Sequence, residues 1–143
     1  MPWVEFEIGE WYRPDASWKD EVPTSDELAD EDAYAAARAR GDEPEYLPWQ
    51  WRRAAAAGEA LLRAILREFG PGVVVEIKAE HYPNVSPPML LRSVGKRGSL
   101  PTAFLDFPDD PLADGEPDAS MQCDGYEAVR VVGRPSRRRG IGV

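Results

Sequence analysis

The chain is 143 residues long, 43% apolar and 30% charged, with a net charge of −9; that is one domain's length, enough to bury a core without a metal or disulfide staple. It holds no run of about eighteen apolar residues to span a membrane, and its acidic start, MPWVEFEIGE, lacks the positive charge of a secretory signal. These features exclude a membrane partner and set the expected location as the cytoplasm, or a virion-type assembly.

The acidity is concentrated. Residues 1–45 hold 14 of the 26 acids and 4 of the 17 lysines and arginines, a net of −10, while the remainder nets +1. A field of that kind repels nucleic acid and draws basic partners over about a Debye length, about 8 Å at physiological salt. All five tryptophans, Trp3, Trp11, Trp18, Trp49 and Trp51, fall in or just beyond the same third.

Trp3 to Gly9 alternates Val4, Phe6 and Ile8 against Glu5 and Glu7, the period of a strand with one wet face. Glu10 to Pro23 has no period and reads as an irregular segment held down by Trp11, Tyr12 and Trp18. Thr24-Ser-Asp-Glu27 is a capping-box start, so a helix is expected from Ser25 to Arg40 with Gly41 as its stop. Its apolar face is thin, mainly Leu28 and Tyr34 among alanines.

A second helix is expected from Pro48 to Phe69, ended by Gly70-Pro71-Gly72. At 100° per residue, Trp51, Ala54, Gly58, Leu61, Leu62, Ile65, Leu66 and Phe69 form one stripe, which makes this helix the backbone of the core. With Trp51 on that stripe, Trp49 falls on the outer face with Arg53, free to cover another part of the fold, to stack on Arg53 or to meet a partner.

Val73 to Tyr82 alternates as a strand with Val75, Ile77, Ala79 and His81 on one face, joined so tightly to the helix that the two should pack together. Met89–Val94, Thr102–Phe107 and Tyr126–Val132 read as further strands, with a basic turn over Gly95–Ser99 and an acidic loop over Pro108–Gly125. That loop, about 18 residues, exceeds what compact domains usually tolerate without purpose. The fold class that follows is α+β: an antiparallel sheet of four to five strands with two helices packed on one face. The expected organisation is a single domain over 1–133, with an acidic alanine-rich helix in 24–41, the core amphipathic helix in 48–70 and the sheet in 73–132. A basic tail follows over 134–143.

No catalytic constellation emerges. The acidic loop offers hard oxygen ligands, but a calcium loop begun at Asp110 places Leu112 and Met121 where ligands belong. His81 is the only histidine and Cys123 the only cysteine, so zinc lacks a ligand set and Cys123 reads as a small buried hydrophobe in a reducing compartment. No G-x-S-x-G elbow, Walker loop or dinucleotide fingerprint occurs. The chain is therefore expected to be non-enzymatic and to carry neither cofactor nor metal.

Aromatics interleaved with charge are the composition of interface anchors. The candidate partner-binding residues are Trp11, Trp18 and Trp49, the acids Asp30, Glu31 and Asp32, and the tail arginines Arg137, Arg138 and Arg139. The reading is a macromolecular-interaction protein that binds a protein partner or copies of itself. It would be a structural subunit of a multi-copy assembly, such as a phage head or tail component, or a small inhibitor or immunity-type protein covering a basic partner. Direct nucleic-acid binding is expected only through the arginine tail. Two alternatives remain: an acidic nucleic-acid mimic or regulator that occupies a basic groove, and a metal-assisted enzyme built on the aspartate-rich loop.

Overall fold

The computed structural model describes residues 5–42, 49–79, 83–98, 100–109 and 115–135. It is an α+β fold in which strands β1 (Trp11–Tyr12), β2 (Val73–Ala79), β3 (Met89–Arg97), β4 (Leu100–Asp106), β5 (Ala119–Gln122) and β6 (Tyr126–Gly133) form one antiparallel sheet. Their order across the sheet is β1-β6-β2-β3-β4-β5. The helices are α1 (Ser25–Ala39) and α2 (Trp49–Phe69), and a 3-10 turn spans Ser17–Asp20.

Six strands rather than four or five arise because two segments read as irregular pair with neighbours. β1 comes from the aromatic stretch and joins β6 through Trp11↔Arg130 and Tyr12↔Val129. β5 lies inside the expected acidic loop and pairs with Thr102–Leu105. Conversely, the expected strand over Trp3–Gly9 does not form in its described part. Glu5–Glu7 has no regular structure and Ile8–Gly9 is a turn, although the Gly9 amide donates to the Val131 carbonyl at 2.8 Å. Phe6 from this segment enters the core, edge-on to Tyr12 with ring centroids 4.9 Å apart. Period-2 hydrophobicity signalled burial there, which Phe6 fulfils while Ile8 stays exposed.

α1 starts as its sequence dictates. The Glu27 amide donates to Thr24 Oγ1 at 3.1 Å, and the Thr24 amide donates to Glu27 Oε1 at 2.8 Å. It stops at Gly41 (φ +80°), where the Gly41 and Asp42 amides return to the Arg38 and Ala37 carbonyls, satisfying the last turn. α2 ends at Gly70, also at positive φ, whose amide donates to the Leu66 carbonyl at 2.8 Å.

The core lies between α2 and the sheet. Leu61, Leu62 and Ile65 of α2 meet Val73, Val75 and Ile77, then Met89, Leu91, Ala103, Leu105, Val129 and Val131. α2 leans over β3 and β4 more than over β2, the strand that follows it, because the Gly-Pro-Gly turn redirects the chain. α1 packs mainly on α2 and buries only Ala37 among its residues.

Three residues are extra to the ladder: Arg92 in β3, and Glu127 and Val132 in β6. Each bulge resets which parity faces the core, so Leu91 and Val94 are both buried although three residues apart. β3 also runs on to Arg97 through the expected basic turn. The tight reversal at Gly98 (φ +67°) leaves Gly95 paired with Thr102, and the Phe104 ring packs over it. His81, Asp110, Asp114 and Arg137–Arg139 lie outside the described residues.

Candidate interaction groove

The N-terminal half of α2 has no large apolar side chain between Trp51 and Leu61; its apolar positions there are alanines and Gly58. Gly58 brings the helix against the turn that joins β5 to β6. A Cβ there would collide with the Cys123 carbonyl oxygen, and the buried Tyr126 hydroxyl donates to the Gly58 carbonyl at 2.7 Å. Beyond this contact α2 outruns the sheet, and a groove of about 480 Å³ opens between it, the Arg13–Lys19 arm and the β5–β6 turn.

Trp18 and Trp51 line this groove with Ala54 and Ala57, and Arg13, Asp15, Lys19, Asp124 and Glu127 supply its charges. Trp51 sits on the helical stripe that points to the core, yet it is 50% exposed. The expectation that it packs inside is corrected for a geometric reason: the stripe continues past the last strand available to cover it. Trp49 lies on the outer face as expected, where α1 covers it to 9% exposure and Arg53 stands 5.1 Å from its ring centroid.

The arm is held by local bonds. Asp15 accepts from the Ser17 amide at 3.0 Å and from the Ser17 hydroxyl at 3.1 Å, which hold its carboxyl below the ordinary range. Glu127, the bulged residue of β6, accepts from Lys78 and Arg13, each at 3.1 Å, and its carboxyl is likewise held low, by Lys78 first. Cys123 is 1% exposed, and burial pushes its thiol up to about 12. A thiol that stays protonated at neutral pH is no nucleophile.

The candidate residues separate into distinct roles. Trp11 lies on the open face of the sheet, where the Arg130 guanidinium stands 4.5 Å from its ring centroid and also donates to Glu76 on β2 at 3.0 Å. Asp30 pairs with Arg52 at 2.6 Å, and Glu31 accepts from the Trp49 indole at 2.5 Å; both face α2. Asp32 is exposed on α1. Among the described candidates only Trp18 lines the groove, with Lys19 5.8 Å from its ring.

Sequence reading missed Trp51 as a surface residue. The signal available was the weight of the stripe, whose large members other than Trp51 all lie at Leu61 or beyond. Among the described residues, no group of three or more His, Cys, Asp or Glu side chains is placed to hold a metal ion, and no helix is long and apolar enough to cross a membrane. No protein-family model, no curated protein and no solved structure matches the chain.

Proposed function

We propose that the chain is a non-enzymatic interaction protein of the inhibitor or immunity type, acting in the cytoplasm, that seats a basic segment of a protein partner in the Trp18–Trp51 groove. One observation carries this reading. Of the four described tryptophans, Trp11, Trp18 and Trp49 each hold a cation near the ring face, from Arg130, Lys19 and Arg53 respectively. Trp51, the half-exposed one, has none among the described residues, and a partner's arginine or lysine would complete the pattern.

The lining's own charges are mixed. The surplus that favours a basic partner comes from the N-terminal third of the chain, where Asp20, Asp26 and Asp32 are exposed. Trp51 is the specific contact, and the acidic field speeds encounter. Mechanistically the protein would act by occlusion: the bound basic segment is withdrawn from whatever it otherwise contacts.

The test is calorimetric titration with a hexa-arginine peptide, and with hexaglutamate as the opposite-charge control. Binding of the arginine peptide alone is expected. It should weaken about tenfold for Trp51→Ala, the range of a cation–π contact of about 1–2 kcal/mol, and also as salt rises. No binding, or binding indifferent to Trp51→Ala, overturns the reading.

A further inference from the structure

Arg53 of α2 contacts both α1 and the turn that carries Trp18. Its side chain is 16% exposed. Its guanidinium grips Glu27 of α1 as a fork, Nε to Oε2 at 2.8 Å and Nη2 to Oε1 at 2.5 Å. The remaining nitrogen, Nη1, donates to the Trp18 carbonyl at 3.2 Å and lies 3.4 Å from Glu21. The same guanidinium stacks 5.1 Å from the Trp49 ring centroid.

Two consequences follow from this wiring. Glu27 serves both the Thr24 cap and the Arg53 fork, so one carboxylate links the start of α1 to one of its three polar contacts with α2. Trp18, whose carbonyl takes Nη1, is a wall of the groove, whereas α1 supplies no lining residue among those described.

We infer that Arg53 is a positioning residue for the groove: the docking of α1 on α2, read through the Glu27 fork, sets where Trp18 stands opposite Trp51. A guanidinium that loses its fork keeps only Glu21 as a counter-charge, and the N–H groups of the fork are left without their acceptor. It turns toward water or Glu21, and the Trp18 carbonyl loses its donor. A competing carboxylate from a partner protein that captures Arg53 would therefore reset the groove from a surface outside it. The two states required for such coupling are α1 docked and α1 released. Its meaning for binding rests on the proposed groove function, but the coupling is measurable without any ligand.

The experiment is ¹⁹F NMR of the full chain labelled with 5-fluorotryptophan, its resonances assigned by single Trp→Phe substitutions. Glu27→Gln is expected to move the Trp49 and Trp18 resonances together by more than a line width and to leave Trp11 in place as the reporter of an intact sheet. Asp32→Asn, on the exposed side of α1, should move neither. A Trp49 resonance that moves while Trp18 stays overturns the inference. If Glu27→Gln also displaces Trp11, Arg53→Lys, which keeps the charge but loses the fork, is read by the same criterion. Failure of the hexa-arginine titration with a positive NMR result would remove the binding role of the groove and leave the coupling intact.

Discussion

α2 makes two contacts of opposite kinds. Toward the sheet, its Leu61, Leu62 and Ile65 are fully buried among valines and leucines. Toward α1, it presents Trp49, Arg52 and Arg53 to Glu31, Asp30 and Glu27. Both sets follow helical spacing and run antiparallel, so each side chain meets one opposite partner. The first contact is non-directional and grows with buried area. The second depends on geometry and ionisation, and it excludes little water: Leu28 of α1 stays 48% exposed. One helix thus joins a part of the molecule that should resist salt and acid to a part that should not.

The comparison is tested most strongly in the core. Leu62→Ala should lower stability by about 2–5 kcal/mol, seen as a fall in the urea midpoint that is nearly the same at low and high salt. A loss below about 1 kcal/mol would mean that α2 is not the main apolar contact of the sheet.

Gly58→Ala should act next. Helix propensity alone would make the alanine stabilising by about 1 kcal/mol; collision with the Cys123 backbone should reverse the sign and cost about 1–3 kcal/mol. A urea midpoint that rises would show that α2 does not approach the β5–β6 turn this closely.

The smallest effect belongs to α1. The Arg53 fork holds the Glu27 carboxyl at about 2 against an ordinary value near 4.5. Because the folded value is the lower one, the docking this group stabilises is present above about pH 4.5 and drains away as pH falls toward 2. Glu127 and Asp15, also held low, act in the same direction around the groove. A pH titration followed through the Trp49 fluorine resonance should show a step in that window which Glu27→Gln removes. Trp49 and the core unfolding in one transition, with the same midpoint in both proteins, would contradict the division drawn here.

Both helices were legible in the sequence because their signals are local. The Thr24–Glu27 box and the Gly41 and Gly70 stops act within one turn of chain. The four longer strands were legible too, β2 from its β-branched alternation. β1 and β5 were not, since two residues of aromatic and four of mixed polarity carry no period; they exist only because β6 and β4 offer edges. The groove was partly hidden for a similar reason. Trp18 could be singled out by composition, but whether Trp51 is covered depends on where α2 ends relative to the sheet, a distance no local pattern encodes. Nor did charge counting show that Glu27, Asp30 and Glu31 face arginines and a tryptophan of the same chain, which turns part of an apparent acidic surface into an internal seam.

The bulge at Glu127 makes one position of β6 dispensable to the ladder. Ala79 pairs with Tyr126 and Lys78 with Ala128, so the strand would close into unbroken register if the residue between them were removed. At an unbulged strand position a one-residue deletion inverts every side chain beyond it. Here it would take away a single carboxylate at the mouth of the groove and leave inside and outside where they are, so the electrostatics of this corner are free to vary in evolution without re-solving the fold.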